Sequence, residues 1–206
     1  MQRLLGKEDK FFTLLEASAQ EARASVQALV KLSKTLDRPM AVDEFAAARR
    51  KDKQITSEIS AAVYATFVTA LEREDIEDLS NALYKIPKTV DKFTSRILAA
   101  PQHVRGVDFS KQIGLLERAT DIVLELVKSL RPGINLEKVK ELNDQLQLLE
   151  GEADAHMMSL YRDLFGGRHE PLQVIALKDL YELLEKVIDR CRDAGTVIAH
   201  IALKHS

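Results

Sequence analysis

The stretch PLQVIALKDLYELLEKVIDRCRD, residues 171–193, decides the fold class. Its apolar positions Leu177, Leu180, Leu184, Val187 and Cys191 recur at spacings of three and four, the stripe of an α-helix turned toward a core. Pro171 stands where a first helical turn tolerates proline, because the amide it lacks would have no helical partner there. Ile198 and Ile201 carry the stripe on, so the spacing predicts one helix from residue 171 to the end of the chain.

Outward from this segment, breakers fall between periodic stretches rather than inside them. Gly166 and Gly167 separate it from a fifth helix that ends at Phe165 and has Asn135 as its N-cap. Pro132-Gly133 ends a fourth helix over residues 109–130, whose stripe is Ile113, Leu116, Val123, Leu126 and Val127. Pro101 and Gly106 precede it. A third helix over 74–99 opens on Arg73-Glu74-Asp75-Ile76, with acids in the first turn where the helix dipole favours them. Asp43 begins a second helix over 42–69, and a first runs over 7–36, with Phe11, Leu15, Ala22, Val26 and Leu29 on one face, before Asp37-Arg38-Pro39. No segment alternates like a strand. The expectation is an all-α chain of six long helices in two antiparallel three-helix bundles, residues 1–100 and 108–206, joined by a linker at 101–107. The halves resemble each other as an internal repeat, Phe67 matching Phe165 at the end of the middle helix of each.

Composition excludes several functions. Among 206 residues, 30 are Lys or Arg and 32 Asp or Glu, for a net charge of −2. There is no basic field to neutralise a nucleic-acid backbone. The longest weakly polar run, residues 61–71, is too short to span a bilayer and reads as a buried helix face, so the chain is expected not to cross a membrane. One cysteine, Cys191, excludes an internal disulfide and fits a reducing compartment, so the expected location is the cytoplasm. Cys191 lies on the apolar face of its helix, where a thiol is inert. No nucleotide-binding glycine motif and no zinc-type histidine pair occurs among His103, His156, His169, His200 and His205.

The chemistry-bearing pattern is carboxylate. Glu150, Glu152 and Asp154 lie on the fifth helix, and Glu185, Asp189 and Asp193 follow one another at spacings of four on the sixth, forming a row on one face. Counting back from the hairpin places Glu150 and Glu185 at nearly the same height, so the two rows face each other. Converging carboxylates repel unless a proton or cation lies between them, and an oxygen-rich cage suits Mg²⁺, Ca²⁺, Mn²⁺ or iron. The alternative is a solvated acidic face, although Glu185 and Asp189 border the apolar stripe rather than oppose it. His156 follows Asp154 by two residues, which turns it from that row onto a face shared with Glu152.

Arg73-Glu74-Asp75-Ile76, the Glu150-Gly-Glu-Ala-Asp154 run, and Glu185 with Asp189 before Arg190-Cys191 resemble the PhoU-like phosphate transport regulators over nearly the whole chain. The resemblance implies two three-helix bundles, metal or iron held by Glu/Asp-x-x-x-Asp motifs, no catalysis, and, for the most similar branch, an accessory role to Pit-type inorganic phosphate transporters. It implies a peripheral site of action at the inner face of the membrane and leaves a homo-oligomer open. The metal ligands carried over are Glu150, Asp154, Glu185 and Asp189, with Glu152 and Asp193 beside them. In the first half the matching positions hold Asp52, Thr56, Tyr84 and Lys88, and Pro87 removes an amide donor there. The metal chemistry is therefore expected in the C-terminal half alone. A metal-dependent enzyme or metal store, and a metal-free helical adaptor, are the competing expectations.

Overall fold

In the computed structural model, residues 2–34, 43–65, 71–131 and 134–205 are described, with side chains for all of these except residues 2–9, 43–49 and 52. Six helices follow in order: α1 Gln2–Ser33, α2 Asp43–Ala65, α3 Arg73–Ala99, α4 Ser110–Lys128, α5 Leu136–Leu164 and α6 Pro171–Lys204. No strand occurs among the described residues. The all-α expectation and the element order hold, because each helix is set by a local stripe and ends at a local breaker.

Two ends show the local chemistry directly. Asn135 is extended, and its side chain accepts a hydrogen bond from the Lys138 amide at 3.1 Å, satisfying one of the first-turn donors of α5. The hairpin between α5 and α6 turns on Gly167 at φ 80°, a left-handed backbone that costs glycine nothing, and Pro171 opens α6. Helix α3 remains one helix across the buried Pro87. The hairpin residues Pro132 and Gly133, and Phe67 of the matched halves, lie outside the described residues.

The first three helices pack on one another, as do the last three, and the two sets meet where α1 lies along α4 and α3 along α6. Both seams are antiparallel. Arg131 Nε donates to Glu16 at 2.6 Å while Arg23 pairs with Asp121, and Lys204 Nζ reaches Asp75 at 2.8 Å while Arg96 pairs with Asp179 at 3.3 Å. Residues 101–107 cross between the sets at the surface, with Pro101–His103 in a short 3-10 turn and Val104, 2% exposed, as the anchor. Just beyond, Phe109 sits between Phe93 of α3 and Tyr181 of α6 in edge-on contacts, centroids 5.5 and 5.9 Å apart. Each such pair adds about 1 kcal/mol beyond its buried area, so the seam is tied where the chain crosses it. Buried apolar residues of all six helices form one continuous core.

Candidate functional site

The carboxylate face lies between α5 and α6, and its geometry follows from how these two helices are registered. Tyr161 Oη donates to Glu182 at 2.9 Å, and Arg192 Nε donates to Glu150 at 3.2 Å. From the first pair to the second, eleven residues are traversed backward on α5 and ten forward on α6, so the helices run antiparallel and in step. They pack tightly at Gly195, where a Cβ would come within 2.5 Å of Asn143 Oδ1 and 2.7 Å of Leu146 Cδ1. An added Cβ there would have to displace the ends of the Asn143 and Leu146 side chains.

This register corrects the expectation that Glu150 and Glu185 share a height. Glu150 stands level with Arg192, seven residues beyond Glu185 and about 10 Å further along the axis. The reason is the hairpin: carried toward the turn, the same register sets Leu164 opposite about residue 179, so α6 begins roughly two turns past the end of α5. Counting equal distances from the loop could not anticipate that overshoot. The acids consequently alternate up the cleft in the order Glu185, Asp154, Asp189, Glu150, rather than facing in level pairs.

They still converge. Burial pushes the Glu185 carboxyl above the usual carboxylate range, and repulsion from Asp189, Asp154 and Glu182 adds to it. Asp189 is raised likewise, by burial and then by Glu150, Asp154 and Asp193, with Arg190 opposing. A base also stands among them, since the half-buried Arg192 holds Glu150 and bonds Thr196 at 3.2 Å. The two flanking acids look elsewhere. Glu152 pairs with Arg118 of α4 at 3.3 Å, and Asp193 with Arg190 at 2.7 Å. His156 is on the α4 side with Glu152, its pKa lowered by burial and by Lys111. Tyr161, pushed up to about 12 by burial and its bond to Glu182, stays protonated as a donor at the lower edge of the cleft.

As the side chains stand, the donor set for a metal is not assembled. Among the described residues, no three His, Cys, Asp or Glu side chains come together to hold an ion. A cation at this face would have to draw Glu150 away from Arg192. Beneath Glu185 lies a cavity of about 20 Å³, the room of one water, lined also by Gln112, Tyr181 and Leu184. Both amide atoms of Gln112 are buried without a partner, an arrangement that no sequence pattern announces. Cys191 is buried, and desolvation raises its thiol pKa, so it offers no nucleophile.

In the first half, the Lys88 ammonium lies 5.5 Å from the centroid of the Tyr84 ring, while the side chain of Asp52 lies outside the described residues. Asp75, of the opening motif of α3, is only 7% exposed and takes its charge partner from Lys204 at the far end of α6, as does Glu72 at 3.0 Å. Hydrogen bonds to these two acids raise the Lys204 pKa.

No family model matches the chain. It is 26% identical over 208 residues, 99% of this chain and 97% of the relative, to a protein of Rhizobium meliloti (strain 1021) described as "Putative pit accessory protein". It is 28% identical over 150 residues, 68% of each, to UPF0111 protein YkaA of Bacillus subtilis (strain 168). Two crystal structures of PhoU-like proteins from Shewanella oneidensis MR-1, one described as a PhoU-like phosphate regulatory protein, superpose with TM-scores of 0.78 at 17% and 18% identity. Each alignment covers 94% of this chain and 99% of the other. Among the described residues, no helix is long and apolar enough to cross a membrane. The chain thus has the PhoU-like fold, and over its whole length it resembles the Pit accessory branch of the PhoU-like phosphate regulators.

Proposed function

We propose that this chain is a non-enzymatic accessory protein of inorganic phosphate uptake, acting at the cytoplasmic face of the membrane by direct contact with a phosphate transporter of the Pit type. The observation that carries this reading is the likeness to the Pit accessory relative, which extends over 99% of the chain and 97% of that relative. The test is a tagged chain cross-linked in cells under phosphate starvation. The transporter should be enriched, and deletion of the gene should change phosphate uptake; an unenriched transporter with unaltered uptake refutes the reading. Light scattering of the purified chain, alone and with the transporter, reads whether one copy or several act.

A second reading concerns Glu150, Asp154, Glu185 and Asp189, and the raised carboxyls of Glu185 and Asp189 support it. The cluster relieves its repulsion by taking up protons, or a divalent cation or iron when one is supplied, with Arg192 exchanging out of the cleft. Titration with Mn²⁺ or Fe²⁺ tests it, comparing Glu185→Ala with Asp52→Ala. Binding lost with the first and kept with the second supports a C-terminal site. No binding at all leaves protonation as the sole relief and removes the metal.

A further inference from the structure

Because α6 begins about two turns beyond the end of α5, its first turns are left without a neighbour on that side. On the side that faces α3, Leu172 and Ile175 are 66% and 65% exposed. They form one wall of a groove of about 450 Å³ whose other wall is Ala99, Ala100 and Val104 at the end of α3. Arg96, paired with Asp179, separates this opening from the next, a groove of about 390 Å³ with Lys88, Asp91, Lys92 and Leu183 on its walls. Since α3 and α6 are antiparallel, the two openings succeed one another along the seam. From residue 172 to residue 183 is about 16 Å, or three helical turns.

The groove is polarised. One end is mostly apolar, and the other carries a net positive charge, with Lys88, Lys92 and Arg96 against the single acid Asp91 on its walls. A free phosphate ion would leave the apolar end unused. A bilayer is flat, whereas here two helices wall a concave channel. An amphipathic helix of three turns satisfies both ends at once, laying apolar side chains into one half and carboxylates along the other.

We propose that this groove is the docking site for an acidic amphipathic helical segment of a partner protein, its apolar residues seated on Leu172 and Ile175 and its carboxylates on Lys88 and Lys92. The identity of the partner rests on the transporter reading above; the chemistry of the segment does not.

The experiment uses the full chain and two double variants, Leu172→Gln with Ile175→Gln and Lys88→Glu with Lys92→Glu, whose helicity is checked by circular dichroism. Three probes are offered: the purified transporter in nanodiscs of zwitterionic lipid, a labelled 14-residue helical peptide with leucines at one end and glutamates at the other together with its lysine-for-glutamate counterpart, and vesicles of anionic lipid. The expected result is binding of the acidic peptide and of the transporter discs, each weakened at least tenfold by either double variant, with the lysine peptide unbound. If the variants bind the discs as the wild type does, the groove inference is overturned and the transporter reading stands. If the acidic peptide binds in a groove-dependent way and the discs do not, the transporter reading fails and the groove inference stands. Groove-dependent binding of vesicles without the peptide makes the surface a lipid site and overturns the inference, as does binding of no probe.

Discussion

Replacing Asp189 by Asn should stabilise this protein, an outcome opposite to that of most substitutions at a half-buried position. Asp189 has like charges four residues away on both sides, Glu185 and Asp193, and two more, Glu150 and Asp154, across the cleft. A like-charge pair at a spacing of four costs about 0.2–0.5 kcal/mol. Two such pairs along α6, with the two cross-helix repulsions and less the lost attraction to Arg190, come to about 1 kcal/mol. Asn and Asp have nearly equal helix propensity, so that term drops out. For a chain of this size about 1 kcal/mol raises Tm by about 2–4 °C. The pH dependence has a definite sign. Both Glu185 and Asp189 are raised in the folded state, so the unfavourable term is absent below the ordinary carboxylate range and grows as pH rises through the raised values. The gain from Asp189→Asn should be full at pH 7 and should vanish below the ordinary aspartate value, at about pH 3. Thermal unfolding followed by circular dichroism at both pH values, with a chelator present, is the assay. A variant less stable than wild type at pH 7 in chelator would refute the convergence argued here. One less stable only without chelator would show that a cation holds these acids together.

Gly195→Ala should destabilise by no more than about 1–2 kcal/mol, because its Cβ would press on the side-chain ends of buried Leu146 and of Asn143 while alanine regains about 1 kcal/mol of helix propensity; denaturant unfolding reads it, and a raised midpoint would mean that the two side chains yield freely. Asn135→Ala should cost about 1 kcal/mol through loss of the α5 cap, with Asn135→Ser restoring most of it in the same assay. Lys204→Ala should lower Tm by leaving the Asp75 carboxylate buried without its cation, and it should have no such effect in an Asp75→Asn background. Additive losses in that double-mutant cycle would show that the clasp between α3 and α6 is unimportant.

Much of the fold was legible in the sequence because helices are local objects. The stripe through Leu177, Leu184 and Cys191, the capping side chain of Asn135, and the breakers at Pro101 and Gly167 each act within a few residues of the backbone they specify, and each lies where its spacing placed it. The acids of the C-terminal cleft were also legible as a row, since a spacing of four fixes a helix face whatever lies opposite. What lies opposite was not. Whether Glu150 meets Glu185 or Arg192 depends on how far α6 overshoots the hairpin, and that is set by the packing of Leu146 and Asn143 against Gly195, residues about fifty positions apart in the chain.

The same division accounts for the other residues that no pattern disclosed. Lys204 becomes the partner of Asp75 across 129 positions only because α3 and α6 lie antiparallel along a seam between the two bundles. Gln112 becomes a polar lining beneath Glu185 only because α4 closes the back of the cleft. Leu172 and Ile175 stay exposed because α3, antiparallel to α6, ends at Ala99, level with about residue 176. By itself, then, the sequence determined the helices, their order and which side of each is apolar, since hydrogen bonding from residue to residue four apart and a periodic stripe are properties of a single segment. The tertiary structure alone decided register, charge partners and the groove, since these are distances between segments, and such distances are fixed by the side chains that interlock where helices cross.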